Sequence, residues 1–148
     1  MMQKDSGQLT KLAIVGFGLI GQRHAEAIEV APSVELAAIV EPECSASRAA
    51  VDPSVAIFAD ITQMFENFKP DGVIIASPTT LHILHARQCV EAGVPALIEK
   101  PISDDLAAAQ ALTREAAQAN VELLVGHHRR FNPINQRAHG LIRSGEIG

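Results

Sequence analysis

The sequence predicts an α/β protein: a doubly wound parallel sheet of about six strands, with helices on both faces. Three observations carry that reading. Short apolar runs alternate with longer helical patterns six times along the chain. The runs are continuously apolar, as expected of strands buried on both faces. The first run leads straight into a G-x-G-x-x-G spacing, which marks a tight passage from a strand into a helix.

Each element has a local reason. Met1–Thr10 is polar and without pattern, and reads as a frayed tail. Lys11–Val15 is the first strand. Leu19–Val30 is helical and stops at Ala31-Pro32-Ser33, because proline bars the helix from continuing. Glu35–Val40 is the second strand, and Glu43–Val51 a short helix. Val55–Phe58 is a weak third strand. Ile61–Phe68 is helical and ends at Lys69-Pro70. Gly72–Ala76 is a clear strand. Thr80–Ala92 is a helix that Thr79 or Thr80 can cap, with Gly93 in the left-handed position after its end. Ala96–Glu99 is a strand. Asp104–Asn120 is a long Ala-rich helix with Ser103 as its N-cap. Val121–Val125 is the last strand, and Pro133–Ser144 closes the chain as a helix.

Composition narrows the function classes. The 148 residues suit one domain, 47% hydrophobic and 20% charged, so the chain is neither disordered nor fibrous. Five Phe and no Tyr or Trp leave the core to Ala, Val, Ile and Leu. A net charge of −5 with so few aromatics argues against wrapping nucleic acid. Cys44 and Cys89 stand far apart, form no ligand spacing, and read as reduced thiols of a cytoplasmic protein. The apolar run Leu12–Gly21 has the length of a leader's core. It ends in Gln22-Arg23-His24 instead of a cleavage site, and is too short to span a bilayer. No membrane association is expected.

Gly16-Phe17-Gly18-Leu19-Ile20-Gly21 follows a strand and opens a helix, the context in which this spacing binds a dinucleotide. The first glycine permits the turn and the second lets the backbone approach a pyrophosphate. The third allows helix and strand to pack closely. The helix start then offers N–H groups and its dipole to phosphate. A purely structural glycine turn, or the turn of a methyl-donor-binding fold, are the alternatives. Glu41 ends the second strand 20 residues beyond Gly21. A carboxylate there can accept from the adenosine ribose hydroxyls and repels a 2′-phosphate, which predicts NAD over NADP. Its alternative is a solvated loop acid. Arg48 lies too far into the next helix to be an obvious reader of a 2′-phosphate.

In a doubly wound sheet, ligands bind outside the carboxyl ends of the strands. Ser77-Pro78-Thr79 follows the fourth strand, Lys100-Pro101 the fifth, and Gly126-His127-His128-Arg129-Arg130 the sixth. Polar residues of catalytic type thus converge on one edge. A lysine near a cofactor and partly desolvated suits proton transfer to or from a substrate hydroxyl, so Lys100 is the catalytic candidate. Its alternative is a strand-end lysine in water. Glu99 and Lys100 point to opposite faces of an extended strand and are not expected to pair. His82 and His85 share a helix face, but no third ligand accompanies them, so no metal is expected. Arg129 and Arg130 could contact a phosphate or a carboxylate, or form a solvated basic loop.

Together these motifs resemble the N-terminal domain of the Gfo/Idh/MocA oxidoreductases. Four signatures occur in order: Gly16-x-Gly18-x-x-Gly21 with Arg23-His24, Pro78-Thr79-x-x-His82, Glu99-Lys100-Pro101, and Gly126-x-x-x-Arg130-Phe131-Asn132-Pro133. The resemblance runs from about Lys11 to the end and implies a Rossmann-like domain over 11–148. It implies pyrophosphate at Gly16–Gly21 and the adenosine ribose at Glu41. Ser77, Pro78, Thr79 and His82 would lie along the nicotinamide half. Glu99 and Lys100 would lie at the nicotinamide ribose and the substrate hydroxyl, and Arg130 at the site entrance. Thr79 stands where similar proteins often have Asn. The implied reaction is NAD-dependent hydride transfer to or from a secondary alcohol of a sugar, polyol or related small molecule. Members are longer, with a second domain that supplies the substrate pocket, a catalytic histidine and usually a homo-oligomer interface. The chain therefore reads as the cofactor half of such an enzyme, inactive alone. A non-catalytic NAD(H)-sensing module and a methyltransferase-like domain are the alternative functions.

Overall fold

The structure, a computed structural model, describes residues 9–43 and 51–147. Six strands form one sheet: β1 (Thr10–Val15), β2 (Val34–Val40), β3 (Ala56–Phe58), β4 (Gly72–Ile75), β5 (Ala96–Ile98) and β6 (Leu123–Val125). The helices are α1 (Leu19–Glu29), α2 (Ile61–Asn67), α3 (Thr79–Ala92), α4 (Leu106–Ala119) and α5 (Pro133–Arg143), the last preceded by a 3₁₀ turn at His128–Phe131. The strand order is β3-β2-β1-β4-β5-β6, and every pairing is parallel. The chain leaves β1 toward β2 and β3, then returns to β4 on the other side of β1. The crevice between β1 and β4 is therefore the topological switch point, where open α/β sheets bind ligands.

Both faces of the central strands are buried, which is why their inner positions run apolar without a break, from Leu12 to Val15 and from Leu36 to Val40. On one face Ala13, Val15, Ala38, Val40, Val73 and Ile75 meet Met64 of α2, Ala86 and Cys89 of α3, and Leu112 of α4. On the other, Ile14, Ile39 and Ile74 meet Ile28 of α1 and Phe17. Alternate residues of one strand serve the two layers, as the two-residue period requires. Burial pushes the Cys89 thiol up to about 12, so it packs as a small hydrophobe. No helix among the described residues is long and apolar enough to cross a membrane.

Several boundaries differ from expectation for local reasons. Thr10 lies within the expected tail yet opens β1, where it pairs with Val34. Val55 is buried but precedes β3. Val121 is not in β6, because its N–H donates to the Ala116 carbonyl in the closing turn of α4. Asp105, not Ser103, caps α4: its Oδ1 accepts from the amides of Ala107 and Ala108 at 2.8 and 3.1 Å. Ser103 Oγ instead accepts from the Asp105 amide. Neither threonine caps α3, because the helix already begins at Thr79 with Pro78 in the cap position. Gly93 is left-handed at φ 66° and ends α3 as expected. The short helix expected at 43–51 falls almost wholly outside the described residues, as do Cys44 and Arg48.

Candidate functional site

Five strand ends bring the candidate residues to one edge: Gly16 after β1, Glu41 after β2, Ser77 beyond β4, Lys100 beyond β5, and Gly126 after β6. The glycine loop turns sharply here. Gly16 has φ +90°, which L side chains rarely adopt. A Cβ on it would lie 2.7 Å from the Ser77 backbone, so the loops after β1 and β4 are packed main chain to main chain. Gly21 is closer still, because a Cβ there would stand 2.1 Å from the Gly16 carbonyl oxygen. Gly18 differs: a Cβ would meet nothing within 4 Å. The fold therefore requires the absence of a side chain at 16 and 21 but leaves open space above 18.

The start of α1 borders that space. Asp60, Asp105 and Asn132 cap α2, α4 and α5 with their side chains, whereas α1 begins at Gly18 with no side-chain cap. Its first amides are thus available to an anion, favoured by the helix dipole. Leu19 and Ile20 are exposed beside them at 72% and 46%, while Phe17 turns into the core. Glu41 Oε2 accepts from the Phe17 amide at 2.7 Å, which lays the carboxylate across the glycine loop. Its Oε1 accepts from the Glu43 amide at 3.4 Å.

On the other side of the switch point, His82 is 2% exposed. Its Nδ1 lies 2.8 Å from the Pro101 carbonyl oxygen and its Nε2 2.8 Å from that of Ser77. The ring is therefore committed to the backbone of two loops and presents no nitrogen to a ligand. His85 approaches the Ser77 hydroxyl through Nδ1 at 2.9 Å. Burial, then the adjacent His82, lowers its affinity for a proton. Pro78 is exposed, and Ser77 and Thr79 are half-buried at the mouth of the crevice.

Lys100 is exposed at the end of β5, preceding a cis peptide to Pro101. The partial desolvation expected for it is absent in this chain, because no described element covers it. Glu99 does not pair with the Lys100 side chain; its Oε2 accepts from the Lys100 amide at 3.2 Å. Its Oε1 lies 3.0 Å from His24 Nε2 on α1. A Cβ on Gly126 would come within 3.0 Å of the same oxygen. Glu99 therefore sits at the junction of α1, β5 and β6. His24 belongs to the sequence signature, but nothing in the local pattern revealed its partner 75 residues away.

One sheet edge thus carries a side-chain-free cradle above an uncapped helix start, an acid at the second strand end, and a lysine one strand beyond the switch point. The open space at Gly18 and the uncapped start of α1 fit the pyrophosphate of a dinucleotide.

Comparison with known proteins agrees. Residues 10–127 match the family described as "Oxidoreductase family, NAD-binding Rossmann fold". The chain belongs to that family, Gfo/Idh/MocA. It is 30% identical over 139 residues to a 4-carboxy-2-hydroxymuconate-6-semialdehyde dehydrogenase of a Sphingobium species, covering 93% of this chain and 44% of that protein. It is 30% identical over 142 residues to an inositol 2-dehydrogenase of Corynebacterium glutamicum, covering 93% and 42%. Among solved structures, scyllo-inositol dehydrogenase from Lactobacillus casei with bound NAD(H) and scyllo-inositol superposes with a TM-score of 0.86 at 29% identity. That superposition covers 95% of this chain and 43% of that one. The chain thus spans less than half the length of the relatives it matches. Family membership leaves the methyltransferase reading without support.

Proposed function

We propose that the chain is the cofactor-binding part of an NAD-dependent dehydrogenase acting on a secondary alcohol of a sugar, polyol or related small molecule. The observation that carries this is the placement of Lys100 on the same sheet edge as the glycine cradle, one strand beyond the switch point. Gly16 to Gly21 and the start of α1 would hold the pyrophosphate. Glu41 would accept from the adenosine ribose hydroxyls and repel a 2′-phosphate, giving NAD the preference over NADP. When bound, the nicotinamide supplies the two-electron hydride acceptor or donor. Lys100 would receive the hydroxyl proton as the carbinol carbon gives up its hydride, leaving a carbonyl, and would return that proton in the reverse direction. Ser77 and Thr79 would face the nicotinamide half, and Glu99 and His82 would act through the loops they brace.

Relatives bearing inositol dehydrogenase names support a polyhydroxylated substrate class. Because the chain spans less than half of such proteins, turnover would require groups supplied by the remaining length. The test is Lys100→Ala in the longer enzyme. Turnover should fall by at least about a hundredfold, the usual scale of general acid–base catalysis, with NADH affinity within about threefold of the unaltered protein. Unchanged turnover would remove Lys100 from the reaction.

A further inference from the structure

The C-terminal part of the chain has a charge opposite to the rest. Between Leu123 and Gly145 stand Arg129, Arg130, Arg137 and Arg143 with His127, His128 and His139, and no Asp or Glu. That stretch holds four of the 12 Lys and Arg and none of the 17 acids, in a chain of net charge −5. Such asymmetry calls for a local anion.

The structure gathers part of this charge around a hollow. Lys100, Gly126, His127, His128, Arg129 and Arg130 line a cavity of about 410 Å³. Arg129 and Arg130 also border an adjoining cavity of about 480 Å³, with Asn135, Gln136 and His139. Neither wall contains a carboxylate. Among the described residues no ion pair engages Lys100, Arg129 or Arg130. Glu99, which lies against Gly126, is directed to His24 and the Lys100 amide.

The backbone that carries the arginines is held in place. The Arg130 amide donates to the His127 carbonyl at 3.0 Å, and Asn135 Nδ2 donates to the Arg129 carbonyl at 2.9 Å. The Asn132 side chain accepts from the Ile134 and Asn135 amides and fixes the start of α5 just after the arginines. Two guanidinium groups on a pinned loop suit forked recognition of a carboxylate or phosphate. The pyrophosphate cradle is a separate feature, at the end of β1.

We propose that this hollow is an anion subsite, and that the substrate is a hydroxy compound carrying a carboxylate or phosphate. Arg129 and Arg130 hold the anionic group, which turns the alcohol carbon toward Lys100. This rests on the proposed function only in taking Lys100 to mark the reacting centre.

The test is a ¹⁵N-detected NMR titration of the chain with D-gluconate, D-glucose 6-phosphate and neutral D-glucitol, without cofactor. The signals of Gly126 to Arg130 should move saturably with an anionic probe and stay in place with glucitol. The relative affinities of gluconate and the sugar phosphate identify which anion the site takes. In an Arg129→Gln/Arg130→Gln variant whose remaining spectrum is unchanged, the anion affinity should fall at least about tenfold. The shifts should also weaken with added salt. Equal response to glucitol, no saturable response to either anion, or undiminished anion binding in the variant would each overturn the proposal. NADH binding is read separately on the unaltered chain, so its failure counts against the cofactor reading alone.

Discussion

His24 Nε2 lies 3.0 Å from Glu99 Oε1, joining the helix at the glycine cradle to the strand end that carries Lys100. The two residues are 23% and 14% exposed at the side chain. The contact couples the two halves of the candidate site through one carboxylate. Its second oxygen orients the Lys100 amide.

Removing that carboxylate should be felt in stability. Glu99→Ala leaves the half-buried His24 ring and the Lys100 amide without their acceptor, at a cost of about 1–3 kcal/mol. Glu99→Gln keeps one amide oxygen as acceptor and should lose less. Urea unfolding of both variants checks this. Equal losses would mean that an amide oxygen cannot replace the carboxylate at this contact.

The glycines of the cradle should separate fold from binding. Gly21→Ala drives a Cβ to 2.1 Å from a backbone oxygen and should cost about 3 kcal/mol or more. Gly18→Ala meets open space and should change stability by less than about 1 kcal/mol. It should still weaken NADH binding at least about tenfold if the pyrophosphate lies over Gly18 as proposed, because the added methyl would take its place. Calorimetric titration with a parallel thermal melt gives both readings. Unchanged NADH affinity in Gly18→Ala would place the pyrophosphate elsewhere.

Acid should expose His85. Burial and the His82 ring lower its folded value below the ordinary 6.5, so just below that pH the unfolded chain binds the extra proton. Stability is therefore complete above about pH 6.5 and declines as the pH falls through it, by at most about 1.4 kcal/mol per pH unit for one proton. His85→Gln should flatten this part of the profile, measured as urea midpoints from about pH 8 to pH 5.5. Parallel profiles would exclude His85 as the source.

Cys89 should be chemically silent. Its thiol is buried and pushed up to about 12, and thiolate is the reactive form. In a Cys44→Ser background, a thiol reagent should modify the native chain at least about a hundredfold more slowly than the urea-unfolded chain. Comparable rates would mean that α3 opens readily from the sheet.

The parallel sheet and the succession of its strands and helices were legible because their causes are local. Continuous apolar runs announce strands covered on both faces, and the glycine spacing locates the first crossing to a helix. Glu41 and Lys100 stand out as candidates because each is a charged residue where an apolar run stops. Caps were less legible. Ser103, Asp104 and Asp105 can all accept from backbone amides, and only the path of the loop selects Asp105. The bracing of the site was not legible at all. His82 reads locally as a helix-face histidine, yet its partners are carbonyls on two loops, one of them 19 residues away. The His24–Glu99 contact spans 75 residues and exists only because β1 and β5 share one sheet.

An NAD(H) site in the cradle between Gly16 and Gly21, with Glu41 across it, would let the chain bind the cofactor by itself. Calorimetric titration of the chain with NADH and, separately, NADPH tests it most directly. NADH should bind saturably and one to one, with NADPH weaker by at least about tenfold, or about 1.4 kcal/mol. Absence of NADH binding, or equal or tighter binding of NADPH, would contradict it.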